Sequence, residues 1–268
     1  MNHIFSHINE WFFIKMLHRR PVIFTTIGEK CGLPLEHYKH IDVIVAETSF
    51  DYDHLRQYGF DDNKLRLIRP GVDSKKFFYK NAPISGKFRI LFASTPPEPK
   101  DIEVKGIKVL LTLAKSMPSV EIVIAVRPWA SAPFIKKMVQ ASGLSNVLLQ
   151  TNIQDMNELY GSIHATIAPF LMSTKSAPLS ILESLMAGKP VILSNHIEVM
   201  NELSSEHCAV VFDPLAEGSV LRAVKELIDN YVYFQQRSRP CADKYYSLDR
   251  FFKQYEDLYD EVLQGNRG

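Results

Sequence analysis

Short apolar runs alternate with amphipathic segments along almost the whole of this chain, and few architectures accept that order. Strands are expected at 21–26, 42–47, 65–69, 88–94, 120–126, 146–150, 164–170, 190–194 and 208–212. Helical patterns lie between them at 51–58, 106–117, 132–142, 156–162, 177–186 and 215–230, with a last one at 248–263. That alternation belongs to an α/β class of parallel sheets covered by helices. A composition break at 81–86 reads as an interdomain linker. The 268 residues, 46% hydrophobic and 23% charged, suffice for one or two cored domains.

Residues 173–194 carry the chemistry. They read as a turn, a short helix with one carboxylate, and a buried strand. Ser176 can cap the helix, Pro178 suits its first turn, and Gly188 with Pro190 ends it. Leu182, Leu185 and Met186 share an apolar face, with Ser180, Glu183 and Ala187 on the other side. The N–H groups around Leu179 and Ser180 would point above the strand ends, a good place for a diphosphate. Glu183, one turn deeper, is placed to accept hydrogen bonds from two ribose hydroxyls. An amphipathic helix with a solvated Glu fits the same residues, and both readings stand at this point.

Other features narrow the function classes. A net charge of +1 implies no nucleic-acid footprint. Cys31, Cys208 and Cys241 make no C-x-x-C pair and no N-x-[ST] sequon occurs, which points to a reducing compartment without a structural metal. No apolar run approaches the ~18 residues of a membrane span. Lys15, His18, Arg19 and Arg20 interrupt the one candidate for a secretory signal. A cytoplasmic protein is therefore expected. Trp11, Phe12 and Phe13 beside Lys15, Arg19 and Arg20 read as core with a basic end, or as a stripe touching a membrane face. The histidines show no H-E-x-x-H pattern, and Cys31 has no His or Asn context of a nucleophile.

Segment 173–194 resembles the donor-sugar motif of the retaining, family-4-like glycosyltransferases of the two-domain GT-B fold. That motif reads Glu, seven residues, Glu, within G-x-P-x-x-x-(I/L/V)-E-A-M-A-x-G-x-P-V-(I/V). Pro178, Glu183, Gly188, Pro190 and Val191 match it, and the family's first Glu falls on Lys175. Residues 41–47, then Leu67, Pro70, Gly71, Val72, Asp73 and Phe77, resemble the close of the first domain. Residues 90–94 and the Lys105-Gly106 pair resemble the opening of the second. Residues 146–149, Glu158, Leu159, Tyr160, His164, Ala165 and Pro169 resemble the strand and helix that carry the base-binding loop. The likeness covers most of 21–263, weakly before the linker and strongly between 146 and 203.

The resemblance implies a GT-B-like pair of Rossmann-type sheets. A partial N-terminal, acceptor-side domain would span 1–84 and a complete nucleotide-sugar-binding domain 85–245, with a helix at 246–268 crossing back to the first. Only about three strands precede the linker where the family has about six or seven, so the chain is expected to start roughly halfway through the acceptor domain. The exposed edge and apolar helix would then need a cover, from a second copy or a partner chain. The implied activity is transfer of a sugar, with retention, from a nucleotide-sugar donor to a saccharide or lipid-linked acceptor.

In that scheme Lys105, Lys175 and Glu183 are the expected catalytic set. Glu183 would hold ribose, amides near Pro178, Leu179 and Ser180 with Ser176 would hold the phosphates, and Ile153 with its neighbours would hold the base. Three positions depart from the family: Thr95 replaces an Arg, Ile27 a His, and Lys175 the first Glu. Arg127, at the same sheet edge, is the candidate substitute for the lost charge. Asp51 and Asp53 look like the D-x-D that holds a divalent cation in the other large glycosyltransferase fold. At a helix start, acids complementing the helix dipole are the favoured reading, so no metal or other cofactor is expected. Two other functions stay open. One is a non-catalytic or split-enzyme subunit that binds a nucleotide-sugar or a partner chain. The other is an isomerase acting on UDP-sugars, against which the missing first-domain loops argue.

Overall fold

The computed structural model describes residues 1–5, 14, 16–17, 20–26, 39–79, 81, 86–174 and 177–265. Trp11, Phe12, Phe13, Lys15, His18, Arg19, Ile27, Cys31, Lys175 and Ser176 lie outside the described residues, as does most of the 81–86 segment. The chain divides into two compact units. One is Met1–Gly71, Lys175–Ala177 and Tyr245–Gly268; the other is Val72–Thr174 and Pro178–Lys244.

In chain order the first stretch gives β1 (Asn2–Phe5), β2 (Val22–Thr26), β3 (Val43–Ala46), α1 (Ser49–Gln57) and β4 (Leu65–Leu67). The next gives β5 (Phe88–Phe92), α2 (Ile107–Ser116), β6 (Val120–Ala125), α3 (Ala132–Ser142), β7 (Val147–Gln150) and α4 (Met156–Gly161). Then come β8 (Ala165–Ala168), α5 (Leu179–Met186), β9 (Val191–Ser194), α6 (Met200–Ser205) and β10 (Ala209–Phe212). Three helices close the chain: α7 (Ser219–Asp229), α8 (Tyr231–Tyr246) and α9 (Leu248–Gly265).

In the first unit the strands form a parallel sheet in the order β1-β2-β3-β4. Successive side chains leave a strand on opposite faces, and both faces here are covered. Val22, Phe24, Ile44 and Ala46 pack with Leu55 of α1 and with Ile14, whereas Ile23, Val43 and Val45 pack under Tyr255, Leu258 and Val262 of α9. Burial on both sides is why β3 and the 22–24 stretch of β2 read as unbroken apolar runs. Four strands stand here where sequence periodicity gives three. Asn2 and His3 break the apolar pattern of β1, which is recognisable only from its register, Asn2 beside Val22 and Phe5 beside Thr25.

The second unit holds six parallel strands in the order β10-β9-β8-β5-β6-β7. The chain goes from β5 outward to β6 and β7, then returns to lay β8 against the other side of β5, with Ile90 beside Ala165. The order therefore reverses between β5 and β8. In an open parallel sheet the crevice beyond the strand ends at such a reversal is where ligands bind. Both units are Rossmann-like parallel sheets of the α/β class. No helix among the described residues is long and apolar enough to cross a membrane.

Candidate functional site

The carboxyl ends of β5 and β8 meet the start of α5. Pro178 is the N-cap residue of α5, with extended backbone at φ −60° and ψ 123°, and its own side chain makes no capping hydrogen bond. The helix thus begins two residues after the expected start, and Ser176, the expected cap, lies outside the described residues. A proline disfavours helical backbone at the residue before it, here Ala177, and this accounts for the later start. As first-turn donors, the Leu179 and Ser180 amides have no partner within the helix. Leu179 is exposed, and the hydroxyl of Ser180 lies 2.8 Å from that of Ser94, just past β5. The far end of α5 closes as a Schellman turn: the Gly188 amide donates to Leu185 at 2.9 Å and the Lys189 amide to Ser184 at 2.9 Å. Gly188 has φ +76°, which suits glycine. Ala187, expected on the polar side, is fully buried with Leu182, Leu185 and Met186.

Glu183 is half-buried on α5, and this removes the solvated-carboxylate reading. Its Oε2 accepts a hydrogen bond from the Tyr160 hydroxyl at 3.1 Å, and the same hydroxyl reaches the Ser180 carbonyl at 2.9 Å. Burial raises the Glu183 pKa, while the Tyr160 hydrogen bond and the charges of Lys76 and Arg127 pull it back down. Tyr160 is fully buried, with Phe77 edge-on to its ring at 6.0 Å. Burial, then the Glu183 charge, pushes the Tyr160 phenol well above its ordinary value.

Lys105 sits on the loop before α2, and its Nζ stands 3.9 Å from the centre of the Phe170 ring, just past β8. Burial lowers the Lys105 pKa, and Asp101 opposes that shift. Gly106, the N-cap of α2, has φ +77°. The Leu171 amide donates to the Val104 carbonyl at 2.8 Å, so the loops after β5 and β8 are tied together under Lys105. Thr95 is turned away from this crevice: it is buried, and its hydroxyl donates to the Ala125 carbonyl at 3.1 Å. Arg127, past the end of β6, is exposed, with its guanidinium 4.9 Å from the Trp129 ring centre.

Glu183, Tyr160, Ser180, Ser94, Arg127 and Lys76 are thus brought together, and Lys105 joins the same strand ends. Ile153 is not drawn into this group. It lines a separate cavity of about 360 Å³ with Asn152, Asp155, Glu158 and Leu159. Asp51 and Asp53 do not converge either: Asp51 is buried in the first turn of α1, its amide donating to Thr48 at 3.0 Å, while Asp53 is exposed. Residues two apart on a helix face apart.

Sequence reasoning gave no role to Tyr160, Lys76 or Arg239. Arg239 of α8 donates to the last carbonyl of α5, that of Met186, at 2.8 Å and to the Phe77 carbonyl at 3.4 Å. Nothing local to these residues marks such partners. The nearest signal is the spacing of Phe234, Ser238 and Cys241, buried along α8.

A family profile described as "Glycosyl transferases group 1" matches residues 87–230. No curated protein matches the chain in sequence. Among solved structures the chain is similar to a glycosyltransferase from Rickettsia africae ESF-5, with a TM-score of 0.80 at 17% identity, over 98% of this chain and 77% of that one. It is similar to a sucrose-phosphate synthase from Thermosynechococcus elongatus, with a TM-score of 0.76 at 15% identity, over 98% of this chain and 73% of that one. It is also similar to Anabaena HepE in complex with UDP-glucose, with a TM-score of 0.73 at 13% identity, over 97% of this chain and 79% of that one. At such identities the likeness is one of fold.

Proposed function

The chain belongs to the group 1 glycosyltransferases, and from that premise we propose that it transfers a sugar, with retention, from a nucleotide-sugar donor to a saccharide or lipid-linked acceptor. The observation that carries the reading is Glu183, a half-buried carboxylate one turn into α5, beside the point where the strand order reverses. There it would accept hydrogen bonds from the donor's ribose. The Leu179 and Ser180 amides and the helix dipole would hold the diphosphate. Lys105 would meet the charge that develops as it departs, and Arg127 would attract the donor's diphosphate, so that no metal is needed. HepE, similar in fold, is seen with UDP-glucose, which makes a uridine donor the first to try.

Calorimetry with UDP-glucose, GDP-mannose and ADP-glucose on the wild type and on Glu183→Gln tests this. Loss of a charge-assisted hydrogen bond, about 1.5–3 kcal/mol, should weaken the best donor roughly tenfold or more. Equal affinity in the two proteins would refute the assignment. A second reading, binding without turnover, is favoured by Thr95, whose hydroxyl is turned inward where the family has an Arg. Donor binding without transfer from a labelled donor to any acceptor would select it.

A further inference from the structure

We propose that Tyr160 is a positioning residue for donor binding, its hydroxyl tying the Glu183 carboxylate to the first turn of α5 and so aiming it at the donor's ribose. The proposal rests on the reading of Glu183 given above. The phenol has one proton and two acceptors within reach, the Ser180 carbonyl at 2.9 Å and Glu183 Oε2 at 3.1 Å. An ionised carboxylate is the stronger acceptor and takes the larger share of that proton. When Glu183 is neutral, its own O–H donates to the phenol oxygen and the phenol proton turns to Ser180. Both states leave every buried group paired, so the exchange costs no orphaned donor.

The ring cannot move away. It is fully buried on α4, with Phe77 edge-on at 6.0 Å, and the Phe77 carbonyl is itself held by Arg239. A fixed donor facing a carboxylate on a neighbouring helix restricts that carboxylate to the rotamer which meets it. The charged and titratable groups that face Glu183 are Tyr160 from α4, Lys76 from the chain after β4 and Arg127 from the chain after β6. Tyr160 alone among them makes a hydrogen bond to the carboxylate.

Two measurements test the proposal. The first needs no donor: the Glu183 carboxyl of carboxyl-labelled, ligand-free protein is titrated by NMR, its signal assigned by its loss in Glu183→Gln. Tyr160→Phe keeps the ring and removes the bond that favours the charged form, so the titration midpoint should move up. Replacing Tyr160 with 3-fluorotyrosine, a more acidic donor, should move it down. The second is calorimetry with UDP-glucose between pH 5 and 9. Donor affinity should fall as Glu183 is protonated, and in Tyr160→Phe that fall should begin at higher pH. At pH 8 the variant should bind roughly three- to tenfold more weakly, with an unchanged far-ultraviolet circular dichroism spectrum. A midpoint and a pH profile unmoved by Tyr160→Phe, while Glu183→Gln binds weakly, would overturn the proposal alone. Wild-type affinity in Glu183→Gln would overturn the ribose reading, and the proposal with it.

Discussion

A Cβ added to Gly106 would stand 2.0 Å from the carbonyl oxygen of Pro169. The loop that carries Lys105 therefore lies directly on the chain leaving β8, and only glycine permits that approach. Its φ of +77° adds to the requirement. Gly106→Ala should cost on the order of 2 kcal/mol or more, from strain together with displacement of the two loops. Because Lys105 moves with the loop, donor affinity should fall as well. Urea unfolding and calorimetry check both effects, and unchanged values in each would contradict the close packing.

Arg239 closes α5 from a distance in sequence. Its Nη1 donates to Met186 at 2.8 Å, and its Nε contacts both oxygens of Asp243 at 2.9 Å. In Arg239→Met the apolar stem keeps its packing while the last α5 carbonyl loses its charged donor. We expect a loss of about 1–3 kcal/mol, read as a lower urea midpoint with an unchanged slope.

The first unit carries a different pH signature. Burial, with the Asp51 charge adding to it, raises the Glu47 pKa to about 7. The folded state therefore binds the Glu47 proton more tightly than the unfolded chain, whose Glu titrates near its ordinary 4.5. The stabilisation from this proton is full below about pH 4.5 and is lost as the pH rises through about 7. Glu47→Gln should then be more stable than wild type at pH 8, by about 1–3 kcal/mol, with the advantage vanishing near pH 4.5. Urea midpoints of both proteins at the two pH values decide the matter.

Strands such as β2, β3 and β9 were legible because burial on both faces leaves no polar residue to interrupt them. The motif from Pro178 to Val191 was legible because it concentrates turn and helix signals within a few positions. β1 was hidden by Asn2 and His3, and His3 is polar there because its ring bonds Thr25 and Tyr259 at 2.8 and 2.7 Å. α8 was hidden by Pro240 and by a buried stripe that includes the small residues Ser238, Cys241 and Ala242. The link from Tyr160 to Glu183 could not be read at all. Hydrogen bonds between separate helices leave no periodicity in the chain.

The last prediction divides the cations at the crevice by what each does. Lys105 lies at the strand ends, half-buried over Phe170, where a charge is weakly screened. Arg127 is exposed beside Trp129, and its charge reaches Glu183. If Lys105 meets the departing diphosphate, Lys105→Ala should lower kcat about 100–1,000-fold, as loss of one preorganised donor does, and should weaken a nucleoside diphosphate more than the nucleoside. Arg127→Ala should act mainly on KM, with a smaller salt dependence of binding than the wild type, since an exposed charge attracts the donor through screened solvent. Lys76→Ala is the control, because its charge also reaches Glu183; it should shift the pH profile of donor binding and leave kcat nearly unchanged. Steady-state transfer from a labelled donor at two ionic strengths, with nucleoside and nucleoside diphosphate affinities measured alongside, separates the three. Full transfer by Lys105→Ala would remove that lysine from the chemistry and pass the charge to Arg127.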